Sequence, residues 1–301
     1  IPAHNAYAPD LMEEVHGTAD ATGLSIAELI IVNGYTDYID LLYNSATPEP
    51  AHAVTYAHDD CTAFLVPNER SANGQGFFGQ TWDMNLEATP HVLLVRTEPE
   101  GQPASLAFTI TGCVGMIGMN EAGIAIGINN LMAKDGRIGV TWPFVVRKAL
   151  AQTNIDDALA CVTEADLVGA HNYLIFDKHG NGYNVEATAT AEHIDELNGQ
   201  PIVHTNHCLL PDTLANERKR PPASQASSEA RLAKATSILG EAPSTPASLM
   251  QLTRDQEAIC VDAKPPFNVE TCGAAIMRPA TGDFWAVWGK PTEGEYEHFT
   301  V

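Results

Sequence analysis

Apolar positions along this chain follow two different spacings. From residue 61 onward they run in short apolar or alternating stretches, at 61–67, 76–83, 91–97 and 105–111, separated by Gly, Asn and Pro. That is the spacing of strands and their turns. Before residue 60 apolar residues recur at helical intervals, and two helices are predicted, one over 10–21 and one opening at Ser25. Ser25 and Glu28, three residues apart ahead of an apolar run, form a capping-box signature. The stretch 45–53, with Pro48 and Pro50, then breaks regular structure.

Further along, the glycine-dense segment 112–130 continues the strands. Gly112, Gly115 and Gly118 sit three apart and a strand follows them, which excludes a dinucleotide-binding fingerprint, where a helix must follow. Helices are expected at 143–152 and 155–165, the second with Asp156 and Asp157 in its first turn, where acids suit the helix dipole. Strands resume at 172–177, 181–187, 191–196 and 201–205. The basic, Pro/Ser-rich stretch 216–228 reads as a solvated loop ahead of a helix from about 228 to 239, and 274–278 with 283–289 reads as a closing hairpin. This order predicts two sheets with helices outside them.

Composition narrows the functional classes. A chain of 301 residues, 45% hydrophobic, has enough apolar material for one large domain or two small ones. Its net charge of −22 repels a phosphate backbone, so nucleic acid is not an expected partner. Residues 1–60 hold ten acidic residues and no Lys or Arg. The six cysteines are scattered without a CxxC pair, as in a reducing, cytoplasmic compartment. No apolar run reaches membrane-spanning length, so no membrane is expected as a partner.

The candidate chemistry centres on Cys61, which opens the first strand. The second strand ends on Asp83, and a hairpin of the two places that carboxylate near Cys61. Were the peptide bond before Cys61 cut, the new α-amino group, with a pKa of about 7.7–8.0, would serve as the base for the thiol, and no histidine would be required. His204, His207 and Cys208 have poor spacing for three metal ligands, so no metal is expected.

Five blocks extend this reading: Asp60-Cys61-Thr62; Gly79-Gln80-Thr81-Trp82-Asp83; Met119-Asn120-Glu121-Ala122-Gly123 running into Gly127-Ile128-Asn129; His204-Thr205-Asn206-His207; and Ser227-Ser228-Glu229-Ala230-Arg231-Leu232. In this order they resemble the acyl-coenzyme A:6-aminopenicillanate acyltransferase-like branch of the N-terminal nucleophile (Ntn) hydrolases. They are similar, more distantly, to choloylglycine hydrolase and penicillin V acylase. The resemblance implies an α+β fold, a four-layer αββα sandwich of two mainly antiparallel sheets. It implies a helical leader, 1–60, cleaved between Asp60 and Cys61 to become a small subunit, and a catalytic domain, 61–301. It further implies that Cys61 is the nucleophile, that Asp83 positions its α-amine, that Asn206 and Asn129 serve the oxyanion, and that Arg231 supports the site. No cofactor is implied.

Two departures stand out. Asp60 occupies the position before the nucleophile, where glycine is usual in the family, and Gln80 replaces the arginine of the choloylglycine type. The expected function is hydrolysis of a linear amide through a thioester acyl-enzyme. Acyl transfer to an amine, and an uncleaved non-catalytic binding protein of the same fold, remain alternatives. The acyl group, the amine and the oligomeric state are left open.

Overall fold

The computed structural model describes residues 1–45, 60–265 and 268–301. The Pro-rich junction predicted at 45–53 lies almost wholly outside the described residues. Thirteen strands are present among the described residues: β1 (Asp60–Val66), β2 (Phe77–Asn85), β3 (Val92–Thr97), β4 (Ser105–Ile110), β5 (Ile117–Asn120), β6 (Ile124–Asn130), β7 (His171–Asp177), β8 (Gly182–Ala187), β9 (Glu192–Glu196), β10 (Ile202–His204), β11 (Val269–Arg278), β12 (Asp283–Trp288) and β13 (Glu297–Thr300). The helices are α1 (Pro2–Tyr7), α2 (Pro9–Thr22), α3 (Ile26–Val32), α4 (Tyr35–Ser45), α5 (Trp142–Ala149), α6 (Ile155–Thr163), α7 (Pro211–Leu214), α8 (Pro222–Glu241) and α9 (Pro246–Thr253).

The strands form two antiparallel sheets. One has six strands in the order β10-β1-β2-β11-β12-β13; the other has seven, β3 to β9 in sequence order. The period-2 alternation of β1 explains how they stack. Cys61, Ala63 and Leu65 enter the apolar core that the two sheets share, while Phe64 and Val66 pack with Ala235 and Leu239 of α8 and Leu249 and Leu252 of α9. Helices α5 and α6 bring Phe144, Val145, Ala158 and Val162 to the shared core from the seven-stranded side. The architecture is the expected αββα sandwich, with both faces of β1 buried.

The described N-terminal residues, 1–45, hold four helices where the apolar spacing predicts two. The capping box is as expected, Ser25 N donating to Glu28 Oε2 at 2.8 Å and Glu28 N to Ser25 Oγ at 3.3 Å. The helices α1 and α4 take much of their support from docking. Trp142 N donates to Asp37 Oδ2 at 2.9 Å, and Tyr7 Oη donates to the Cys161 carbonyl at 2.5 Å. Asn33, at the end of α3, bonds the Gly112 carbonyl at 2.8 Å and the Val114 amide at 2.7 Å. Burial pushes the Asp37 carboxyl well above the usual carboxylate range.

The stretch 216–228 is not the solvated loop that its composition suggests. Helix α8 begins at Pro222, with Pro221 in extended conformation as its cap. Proline in the first helical turn removes only an N–H that would lack an intrahelical partner, so the Pro-Pro pair starts a helix here rather than breaking one. Arg220, just ahead of it, is buried.

Candidate active site

Strands β1 and β2 pair so that Asp60 faces Asp83 and Cys61 faces Trp82. Asp60, Thr62 and Asp83 therefore share the face of the sheet covered by α8, while the Cys61 side chain enters the core between the sheets. Cys61 is gripped through its backbone. Its amide N donates to Asn206 Oδ1 at 2.7 Å, and its carbonyl accepts from Asn129 Nδ2 at 3.1 Å and from Arg231 Nη1. All of these groups are fully or almost fully buried.

Arg231 ties the cluster together from α8. Its guanidinium also donates to Thr62 Oγ1 at 3.3 Å and to Asn206 Oδ1 at 2.9 Å, and forms an ion pair with Asp60 at 3.3 Å. The two bonds accepted by Asn206 Oδ1 fix the orientation of that carboxamide. Its Nδ2 donates one hydrogen to the Asn130 carbonyl at 3.1 Å and retains a second. The Asn206 backbone N donates to Ser228 Oγ of α8 at 2.8 Å.

Asp83 is fully buried, and Thr271 Oγ1 donates to its Oδ1 at 2.7 Å. Its Oδ2 accepts no hydrogen bond from the described residues. Burial raises this carboxyl to about 7; Arg231 and the Thr271 hydrogen bond pull against that shift, and the neighbouring Asp60 adds to it. Among the described residues no Lys, Arg or His forms an ion pair with Asp83 within 4.0 Å, and Arg231 acts on it only at longer range.

The structure thus brings together Cys61, Asp83, Asn129, Asn206, Arg231 and Asp60, all the residues singled out from sequence. Three contributors carry no sequence signal of their own. Thr271 reaches Asp83 because β11 is irregular between Thr271 and Gly273, a register shift that sequence spacing does not reveal. Arg220 places Nη1 4.0 Å from Asp60 Oδ1. Glu186 sits behind the Asn206 segment, 2.8 Å from His204 Nε2, and also accepts bonds from Leu209 N at 2.6 Å and from Thr213 Oγ1. Burial alone would raise the Glu186 carboxyl, but the bonds from His204, Thr213 and Leu209 outweigh it and hold it below its ordinary value. Among the described residues no group of three or more His, Cys, Asp or Glu is arranged to hold a metal ion.

Residues 70–293 match the model of the family described as acyl-coenzyme A:6-aminopenicillanic acid acyl-transferase. The chain belongs to this family. Asp83, Asn129, Asn206 and Arg231 fall inside the matched span, and Cys61 lies just before it. Among curated relatives in the acyltransferase family, the 40 kDa form of acyl-coenzyme A:6-aminopenicillanic-acid-acyltransferase from Emericella nidulans is 25% identical over 205 residues. That alignment takes in 67% of this chain and 53% of the relative, so the chain spans about half of the relative's length.

Solved structures show the same fold at low identity. A Caenorhabditis elegans N-acylethanolamine-hydrolyzing acid amidase orthologue superposes with a TM-score of 0.51 at 14% identity, covering 73% of this chain and 93% of that one. A variant of the conjugated bile acid hydrolase from Clostridium perfringens gives 0.51 at 12%, covering 80% and 97%. These neighbours share with this chain the fold of two stacked antiparallel sheets flanked by helices. Among the described residues no single helix is long and apolar enough to cross a membrane.

Proposed function

We propose that this chain is a self-processing cysteine amidohydrolase that cuts itself between Asp60 and Cys61 and then cleaves a linear amide through a thioester. The observation that carries the reading is the clamp on Cys61. Its amide and carbonyl are both fixed by buried side chains, and a buried carboxylate, Asp83, lies on the neighbouring strand opposite Asp60 with one oxygen that accepts no hydrogen bond from the described residues. A new α-ammonium at Cys61 would supply a partner for that oxygen.

In the first reaction the Cys61 thiol adds to the Asp60 carbonyl and the C–N bond breaks. The nitrogen takes up a proton as the α-amine, leaving Asp60 as a thioester on sulfur. Water then releases the Asp60 carboxylate and regenerates the thiol. In the second reaction the α-amine accepts the thiol proton, sulfur attacks the substrate amide, and the departing amine leaves protonated. Water ends the cycle by hydrolysing the acyl-enzyme. The second N–H on Asn206 Nδ2, together with that on Asn129 Nδ2, is suited to the developing oxyanion, where loss of one donor costs about 10²–10³ in rate.

Acyl transfer is the second reading, favoured by the family description and by the relative from Emericella nidulans. It differs only in the final acceptor, an amine in place of water. The test is intact mass under denaturing conditions, followed by product analysis with a competing amine. Two fragments split at Asp60–Cys61 and free acid alone support hydrolysis, and new amide supports transfer. A single uncut mass with no turnover identifies a binding protein and sinks both.

Thr271→Val probes the same reading. It keeps the side-chain shape but removes a hydrogen bond that stabilises the charged form of Asp83, so that carboxyl titrates at still higher pH. The acidic limb of the pH–rate profile moves upward, and the rate at neutral pH falls about 3–10-fold. An unmoved limb would mean that Asp83 does not set it.

A further inference from the structure

The residue before the nucleophile is itself held in a built site. Asp60 pairs with Arg231 at 3.3 Å and lies 4.0 Å from Arg220, and both guanidiniums are buried. Arg220 is fixed by its Nη2 on the Asn130 carbonyl at 2.9 Å and its Nη1 on Ser224 Oγ at 3.4 Å, while its Nε has no hydrogen-bond partner among the described residues. Asp60 also lines a cleft of about 380 Å³, with Ser224, Ser227 and Ala230 of α8, and Val261 and Lys264, around it. The acidic side chains at its rim are spoken for, Glu257 by Lys234 and Asp262 by Lys290 at 2.9 Å.

We infer that self-processing uncovers a carboxylate-binding subsite at Arg220 and Arg231, and that the preferred substrates are amides whose acyl group carries a carboxylate two carbons beyond the scissile carbonyl. The inference rests on the self-processing reading. In that reaction the Asp60 carbonyl is what Cys61 attacks, while the carboxylate of the same residue meets the two arginines. The first acyl group this site handles is therefore an aspartyl group. Once it has been hydrolysed and has left, two buried cations face an open cleft, and a buried charge stripped of its partner is strongly unfavourable. A succinyl-type acyl group restores both contacts at once; a neutral acyl group restores one. The net charge of −22 opposes the approach of an anion, so the selectivity comes from contact and not from long-range steering.

The test uses the mature two-chain protein, its split confirmed by mass, with the 4-nitroanilides of succinic and butyric acid. The expected kcat/KM ratio favours the succinyl compound by about 10–100-fold. Arg220→Gln brings the ratio toward unity, and Arg220→Lys, which keeps the charge but not the planar fork, retains part of it. Both variants are checked by thermal unfolding. A wild-type ratio near one, or one favouring the butyryl compound, overturns the subsite while leaving the amidase reading intact. Should neither anilide be cut, the readout becomes the alkylation of Cys61 by iodoacetamide. Protection by succinamate but not by butyramide, lost in Arg220→Gln, supports the subsite, and equal or absent protection overturns it. An uncut chain, with Asp60 still in place, defeats the self-processing reading and the subsite together.

Discussion

Replacing Cys61 with alanine is expected to yield one uncut chain with no measurable turnover. The thiol acts twice in the proposed scheme, on the Asp60 carbonyl and on the substrate amide, so its removal closes both steps. Losing a covalent nucleophile lowers turnover on the order of 10⁶-fold in enzymes that depend on one. The backbone clamp does not involve the Cys61 side chain. Asn206, Asn129 and Arg231 hold the amide and carbonyl of that residue, so the variant keeps its fold and the loss is chemical. Intact mass and amide turnover read the two steps separately. A Cys61→Ala protein that still splits between residues 60 and 61 would place the processing nucleophile elsewhere.

Asp83→Asn is expected to separate catalysis from stability. In mature enzyme the asparagine has the shape of the carboxylate but cannot pair with the α-ammonium, and loss of a positioned acid–base group costs about 10²–10⁴ in rate. In the uncut chain the same change acts in the other direction. The folded-state carboxyl titrates at about 7 against an ordinary 3.8, with burial as the leading cause. Between those values the folded state binds the proton more tightly than the unfolded state, so stability is full below 3.8 and declines as pH rises through 7. Placed in a Cys61→Ala background to prevent cleavage, Asp83→Asn should raise the unfolding midpoint at pH 8. At pH 4 the two proteins should unfold together. An unchanged midpoint at pH 8 would show that Asp83 is already neutralised by a partner.

These two predictions rest on residues of different legibility. The short apolar runs at 61–67 and 76–83, bounded by turn residues, are an intrinsic strand signal, and they matched β1 and β2 to within two residues, with Asp83 across the pair from Asp60 and so next to the bond before Cys61. Asn129, Asn206 and Arg231 were legible only through the resemblance of their short blocks. By itself Arg231 is one charged residue on a weakly amphipathic helix, and its zero exposure is a tertiary fact. Thr271 was not legible at all, since only the irregularity in β11 turns its hydroxyl toward Asp83. Helix α4 was missed because Tyr35–Ser45 is rich in aromatic and acidic residues with weak helix propensity. Its support comes from outside itself, where Asp37 accepts from Trp142 N and Asp40 accepts from Ala170 N.

If the chain is cut as proposed, the docking of residues 1–45 has a consequence for the life history of the molecule. Its anchors, Tyr7 on Cys161, Asn33 on Gly112 and Val114, and Asp37 on Trp142, all reach residues far downstream in the chain. In the proposed scheme the N-terminal segment finds them before cleavage as part of the same molecule, whereas after cleavage a denatured pair would have to meet again by diffusion. Closing a chain on itself is favoured by effective concentrations near the millimolar range, which a severed pair forfeits. The mature protein would therefore be born from a reversible folding reaction and then live on the far side of an irreversible one. Its endurance becomes a matter of how slowly it unfolds, and no longer of how readily it refolds.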